Sequence, residues 1–381
     1  MALGETRKIG FITLAAISAA DCAAHSMNSL GPFAVGELIK SGQLTTAQAG
    51  LWSSVEMLSY AAAMTGIAAH VHRVRLRSLA LIAACCVIAA QTGSAYVHVL
   101  WGLLGLRILS GCGLGALNAV VNIGASRLGQ PVFVLSFVMV VQTIVFSASS
   151  LFLPYIGDAT GQQGIFLTLA LIVFALVPLM RLLPDTASEP QKRLQDCHPM
   201  SGQAFAALLA VLCYTGGSLA VWPFTERIAV SVGLTPMSFG SLSAFANIFG
   251  LCICLVGVRL SQNRASMRLL SPAIILTGVI CILQAWPPSG LFFKTAFSLN
   301  YGLWFFIYPG LVGLTCLVDP SGKLAARSGG AWMLSQAGTT LLAGCAGNSG
   351  HYMWVGFLSF LLCLISAACV VFIKPHQMVA P

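Results

Sequence analysis

From Met353 to Ile373 the chain carries no charged residue, and Gly164–Met180 and Ala80–Ala90 are equally unbroken apolar runs. A helix needs about 20 mostly apolar residues to cross a bilayer. Membrane β-barrels instead show alternating segments of about ten residues. Inside lipid every backbone group must find its partner within its own segment, so continuous runs of this kind are helices. The composition repeats the message: 57% of the 381 residues are hydrophobic and 8% are charged. Soluble domains are about 45–50% apolar and about 25% charged. So few charges cannot cover a water-soluble surface, which excludes a soluble globular enzyme, and disorder requires the opposite composition. At about 30 residues for a crossing and its loop, the length predicts roughly twelve crossings.

The runs place spans at about 9–39, 47–69, 78–96, 99–122, 131–156, 164–181, 203–223, 238–258, 269–286, 291–316, 324–346 and 352–373. The one long polar link, Arg181–Ser201, carries Asp185, Glu189, Lys192, Arg193 and Asp196 and divides the spans six plus six. The expected fold is an all-α membrane protein of twelve transmembrane helices. Two six-helix bundles, 1–181 and 203–381, are joined by a cytoplasmic linker at 182–202. Arg7 and Lys8 before an apolar run, and the small residues Ala16–Ala20, resemble a signal peptide. Cleavage there is rejected, because the helix continues to Ile39 and its loss would leave an odd number of crossings.

With the N-terminus in the cytoplasm, fifteen of the 19 Lys and Arg fall on that side and only Lys40, Arg227 and Lys294 on the other. This positive-inside asymmetry supports both count and orientation, with both termini cytoplasmic in a cell (inner) membrane. The net charge of +9 is then explained by loops facing anionic lipid, and no nucleic-acid partner is needed. The thirteen cysteines read as small apolar residues within the spans.

A charge at bilayer depth costs at least about 2.5–3.5 kcal/mol and normally faces a cavity or a partner. By these spans Asp21, Glu56 and Arg107 qualify, and the second half has no such charge. On the first span Asp21, His25 and Asn28 fall within roughly 60° of one another, with Ser18 and Pro32 near the same line. Such a stripe reads as a cavity wall, or as an Asp21–His25 structural bond. Glu56 has Trp52 and Tyr60 one turn away and Ser53 and Ser59 nearby. That poorly solvated setting suits a group that takes and releases a proton; the alternative is a fixed ion pair with Arg107. Arg107 could attract an anionic substrate or tune Asp21 and Glu56. Asn118 continues its face, and Gly111 and Gly115 allow close helix contact.

The second half offers Tyr214, Ser218 and Trp222; Ser243 and Asn247; Tyr301, Trp304 and Tyr308 at i, i+3 and i+7; and Trp332 and Gln336. Tyr308-Pro309-Gly310 suggests a local helix break. His70 and His72 are two apart, not i and i+4, and no catalytic constellation is readable. Gly111-Cys-Gly113 lies inside a span with no strand before it, so it is no phosphate loop. Neither an enzyme nor an ATP-driven pump is expected, and no metal or organic cofactor.

Three features resemble the major facilitator superfamily. The first is the six-plus-six plan, with short basic links after the second span (Arg73, Arg75, Arg77) and after the eighth (Arg259, Arg264, Arg268). The second is Gly66-Ile-Ala-Ala-His70-Val-His72-Arg73-Val-Arg75-Leu-Arg77. It is similar to the family's Gly-x-x-x-Asp-Arg/Lys-x-Gly-Arg/Lys-Arg/Lys, with His70 in place of the Asp that helps latch the cytoplasmic gate. The third is the fourth span, Leu103-Leu-Gly-Leu-Arg107-Ile-Leu-Ser110-Gly111-Cys-Gly113-Leu-Gly115-Ala116, an Arg followed by closely spaced small residues. The antiporter pattern Gly-x-x-x-Gly-Pro-x-x-Gly-Gly is not matched by Ser149-Ser150-Leu-Phe-Leu-Pro154-Tyr-Ile-Gly157.

The resemblance implies a monomeric secondary transporter whose halves rock about a midplane site. One or both of Asp21 and Glu56 would carry a coupling proton, with Arg107 as electrostatic partner. His25, Asn28, Arg107, Gln142, Tyr214, Asn247, Tyr301, Trp304, Tyr308 and Gln336 would bind a small-molecule substrate. Gly66, His70, Arg73, Arg75 and Arg77 would form the gate loop. The charge asymmetry and the missing antiporter pattern lean towards an organic acid imported with protons. Proton-driven efflux, and a non-transporting sensor of the same fold, stand as alternatives, and composition leaves sodium open as the driving ion.

Overall fold

The computed structural model describes residues 10–68, 70, 75–127, 131–184, 201–261, 265–319, 323–348 and 350–373. They form α1 (Phe11–Lys40), α2 (Thr46–Ala68), α3 (Leu76–Ser94), α4 (Leu100–Arg127), α5 (Pro131–Met180), α6 (Gly202–Leu219), α7 (Thr225–Ser231), α8 (Pro236–Ser261), α9 (Ala265–Ala285), α10 (Gly290–Val318), α11 (Lys323–Ala346) and α12 (Met353–Phe372). No strand occurs among the described residues. Seven helical segments among them are long and apolar enough to cross a membrane: those of α3, α4, α5, α8, α10 and α12, and Gly202–Ser231 spanning α6 and α7. The long helices α1, α2 and α11 are absent from that set. Several polar side chains on them, Asp21, Glu56 and Gln336 among them, are buried, where a fully apolar surface is not required.

Two boundaries depart from the sequence reading. A loop was expected at about 157–163, yet the helix runs through Pro154 and is interrupted only at Gly161, φ 61° and ψ −144°. Only glycine adopts that conformation without strain, so one residue turns the chain. The seventh span was expected to stop near 223. Instead a 3-10 turn at Trp222–Phe224 leads into α7, which continues to Ser231. Pro223 lacks the N–H that would extend the α-helical ladder, so the helix breaks and restarts. This brings Glu226, only 6% exposed, inside an apolar segment, near its end at Ser231.

Packing divides the helices into two groups. In the first, α2 lies on α4, α1 on α5 and α4, and α3 on both α4 and α5. In the second, α12 lies on α9 and α6, α10 on α8 and α9, and α11 on α6. Between the groups α2 packs on α11 and α5 on α8, while α1 touches the 3-10 turn and α7.

The tightest contacts between groups gather at the end that carries residues 41–45, 232–235, 347 and 348, hereafter the closed end. A Cβ at Gly50 would stand 2.7 Å from the Gly344 Cα. The Ala47 N–H donates to Asn348 Oδ1 (3.3 Å), and Phe33 packs on Phe239 with ring centroids 5.3 Å apart. Gly240 sits against the Ser150 carbonyl and Pro154. Towards the opposite end Asn122 and Ser126 of α4 and Arg327 of α11 are exposed.

Because α2 and α11 meet backbone to backbone at Gly50 and Gly344, a larger residue there must push them apart. Gly344→Val should cost about 1–3 kcal/mol, the usual penalty for overpacking, and lower the midpoint of thermal unfolding in detergent. An unchanged midpoint would show that this contact does not bear on stability.

Candidate functional site

The site begins with the small face of α4. A Cβ at Gly111 would collide with the Glu56 carbonyl oxygen, and one at Gly115 with that of Tyr60, so α2 rests directly on α4. That approach sets Glu56 beside Arg107. Arg107 Nη1 donates to Glu56 Oε1 at 3.0 Å, and Nη2 donates to Gln91 Oε1 at 2.9 Å and Ser94 Oγ at 2.7 Å. Ser110 Oγ donates to Glu56 Oε1 at 2.6 Å. The guanidinium carbon lies 4.6 Å from the centre of the Trp52 ring and 5.5 Å from that of Phe166, both within cation–π range. Arg107 and Glu56 are 0% and 2% exposed. The fixed ion pair between the second and fourth spans, one of two readings left open above, is the geometry found. Both terminal nitrogens of Arg107 are thus held by protein, while its buried Nε has no hydrogen-bond partner.

Asp21 is different. It is 5% exposed, and its Oδ1 lies 4.0 Å from His25 Nδ1, beyond hydrogen-bond distance. The two form no hydrogen bond but stand at ion-pair distance when His25 is protonated. Asp21 Oδ2, His25 Nδ1 and Ser18 Oγ, all on one face of α1, are buried without a hydrogen-bond partner in the protein. The same holds for Trp332 Nε1 of α11, and the Tyr60 hydroxyl of α2 is buried with Asn118 as its polar neighbour. Tyr60 is within electrostatic reach of Asp21 and Tyr308, and the Trp332 ring lies 6.4 Å from that of His25. Buried polar groups nearly always have partners. Three of these exceptions share one face of α1 around the Asp21 carboxyl.

Opposite Asp21 and His25 stands an aromatic wall. Trp304 stacks on Tyr308 with centroids 5.2 Å apart and ring planes 4° apart. Trp332 meets Trp304 at 5.6 Å and Tyr308 at 5.3 Å, and buried Tyr214 stacks on Trp304 from behind at 5.7 Å. The stripe read at i, i+3 and i+7 on the tenth span divides here. Tyr301 turns away to donate its hydroxyl to Asn247 Oδ1 at 2.6 Å, so Tyr301 and Asn247 satisfy each other outside the wall.

One turn along α1, Asn28 bridges the two groups. Its side-chain oxygen accepts from Gln336 Nε2 at 2.9 Å and its carbonyl from Trp222 Nε1 at 2.8 Å. A cavity of about 30 Å³ lies there, lined by Asn28, Trp52, Glu56, Trp222, Gln336 and Thr340 among others. That is room for one or two waters.

The remaining expected residues lie elsewhere. Gln142 is half-buried on α5 and lines neither this cavity nor the aromatic wall. His70 is exposed, and its Nδ1 lies 3.0 Å from the Gly66 carbonyl of its own helix, so it ties down the end of α2. Arg77 donates from Nε to the Leu183 carbonyl at 2.9 Å, Arg75 is exposed, and Arg73 lies outside the described residues. Sequence reasoning missed Gln91, Ser94 and Phe166 around Arg107. A Gln set in an apolar span was the one available signal, and nothing local connected it with a charge 16 residues on. It also named Tyr60 and Trp332 without assigning them to the site.

No protein-family model and no curated protein sequence matches the chain. Solved structures do. The chain covers 96% of itself and 98% of a D-xylose–proton symporter at a TM-score of 0.75 and 12% identity. A nucleoside transporter, NupG, aligns at 0.72 and 12% identity, again over 96% and 98% of the two chains. A POT family transporter in complex with 5-aminolevulinic acid aligns at 0.71 and 12% identity over 96% of each chain. The fold is that of the major facilitator transporters.

The Arg107 knot predicts a stability pattern. Removing one partner, by Glu56→Leu or Arg107→Met, leaves a buried charge unpaired and should cost about 3–5 kcal/mol. Removing both should cost less than the two singles together. Thermal unfolding of the singles and the double in detergent reads the coupling; strict additivity would refute the pairing.

Proposed function

We propose that the chain is a proton-coupled secondary transporter of a small organic solute, with Asp21 as the proton carrier. The observation that carries this reading is the buried Asp21 carboxyl without a hydrogen-bond donor, placed between two helix groups and facing an aromatic wall. A carboxylate so placed is poorly stabilised, whereas its acid form is tolerated, so the group gains a proton when closed off and sheds it when water reaches it. Glu56 and Arg107 act as the fixed brace of the first group, not as carriers. The solute lies between His25 on one side and Trp304, Tyr308 and Trp332 on the other. The rings grip a flat or apolar part of it, and an acidic group on the solute meets His25.

In this reading the chain crosses an inner membrane twelve times as two bundles, 1–181 and 203–381, with both termini cytoplasmic and the protein acting as a monomer. The closed end faces outwards, and the exposed Asn122, Ser126 and Arg327 border a path to the cytoplasm. The D-xylose carrier of like fold is a proton symporter, which agrees with this direction of coupling.

A ligand screen by thermal stabilisation identifies the solute, because a binder of the folded state raises the melting point by mass action. In proteoliposomes that solute should accumulate when the outside is acidic. Asp21→Asn should abolish gradient-driven accumulation by tenfold or more while leaving downhill exchange. Accumulation under the opposite gradient would mean efflux, no movement would mean a sensor, and an unaltered response of Asp21→Asn to pH would remove Asp21 from the coupling.

A further inference from the structure

We propose that Glu226 is a second proton site, distinct from Asp21, and that proton uptake there lets the closed end close. The inference rests on the alternating-access reading above but on different residues. Glu226 opens α7 just past the 3-10 turn and is 6% exposed. Its Oε2 has no hydrogen-bond partner. The carboxyl lies on the backbone of α1 at Gly36, where an added Cβ would collide with it, so closure at this end seats an acid against a bare turn of helix. A cavity of about 20 Å³ runs beside it, lined by Glu37, Lys40, Asp158 and Pro236 among others.

The charges around Glu226 oppose one another, Arg227 and Lys40 favouring its anion and Glu37 disfavouring it, so burial without a donor on Oε2 is what disfavours the charged form. From α1 come Glu37 and Lys40, which pair with each other at 3.4 Å, so the ammonium is already engaged. From α5 comes Asp158, from α7 itself Arg227, and from the start of α12 Tyr352; α8 contributes Pro236. Two further carboxyls thus border the same cavity, and no donor reaches Oε2. Burying a carboxylate under those conditions is strongly unfavourable, while burying the acid is not. When the groups part at this end, water reaches Glu226 and it ionises. Closing therefore binds a proton and opening releases one. By linkage the closed-to-open ratio falls with rising pH, by up to about tenfold per pH unit for one proton.

The test uses the full chain in detergent with nitroxide labels at Ser41 and Thr235, one in each group and both exposed. Ketone-bearing amino acids carry the labels, because thirteen native cysteines preclude thiol chemistry. In the wild type, pulsed electron–electron distance measurements should show one short distance at pH 5 and a growing longer population towards pH 9. Glu226→Gln should hold the short distance throughout. Glu37→Gln removes a neighbouring negative charge and frees Lys40, both of which favour the Glu226 anion, so opening should begin at lower pH. This second variant decides the matter if Glu226→Gln does not fold.

A wild-type distance insensitive to pH, a Glu226→Gln response equal to the wild type, or an unshifted Glu37→Gln midpoint overturns the assignment. Gradient-driven uptake in liposomes separates the two readings. Uptake with a closed end indifferent to pH rejects the role of Glu226 alone, and a pH-responsive closed end without any uptake rejects transport alone.

Discussion

The structure depends on a guanidinium that has no water to go to. Arg107 sits at full burial in the middle of α4, and its charge is tolerable only because Glu56, Gln91 and Ser94 supply oxygens and Trp52 and Phe166 supply ring faces. Those partners come from α2, α3 and α5, so meeting the electrostatic demand of one side chain fixes four helices relative to one another. The glycines of α4 make it possible: without Gly111 and Gly115, α2 could not come near enough for Glu56 to reach.

Against that satisfied cluster, the stripe on α1 stands out for what it lacks. Ser18 Oγ, Asp21 Oδ2 and His25 Nδ1 are buried without a hydrogen-bond partner, whereas both terminal nitrogens of Arg107 have oxygen partners and only its Nε and the Trp52 Nε1 lack one. A buried polar group is costly unless partnered, and the α1 stripe bears more of that cost than the Arg107 cluster does. The two regions thus divide the labour. One braces the first helix group, and the other, at the seam with the second group, is the site proposed above for cargo and proton. Glu226 repeats the pattern at the closed end, where another carboxyl is buried against bare backbone.

Much of this was legible in one dimension. The apolar runs and the polar stripe on α1 follow from periods that a helix imposes locally, so Asp21, His25 and Asn28 could be placed on one face without coordinates. The same applies to the small face of α4. What was not legible depends on single-residue breaks and on distant pairs. Gly161 turns the chain within one residue where the sequence suggested a longer loop, and Pro223 hides the continuation of the helix that carries Glu226. Gln91 and Ser94 belong to Arg107 only because α3 happens to pack there.

By itself, then, the sequence settled that the chain is a bundle of apolar helices and which side chains share a face on each, because hydrophobic run length and helical period are properties of consecutive residues. Which of the buried charges are bound and which are left open was decided only by the tertiary structure. Asp21 and Glu56 are equally acidic and equally embedded in apolar sequence. They part company because the donors that satisfy Glu56 arrive from other helices, across distances along the chain that no local pattern encodes, while none arrive for Asp21.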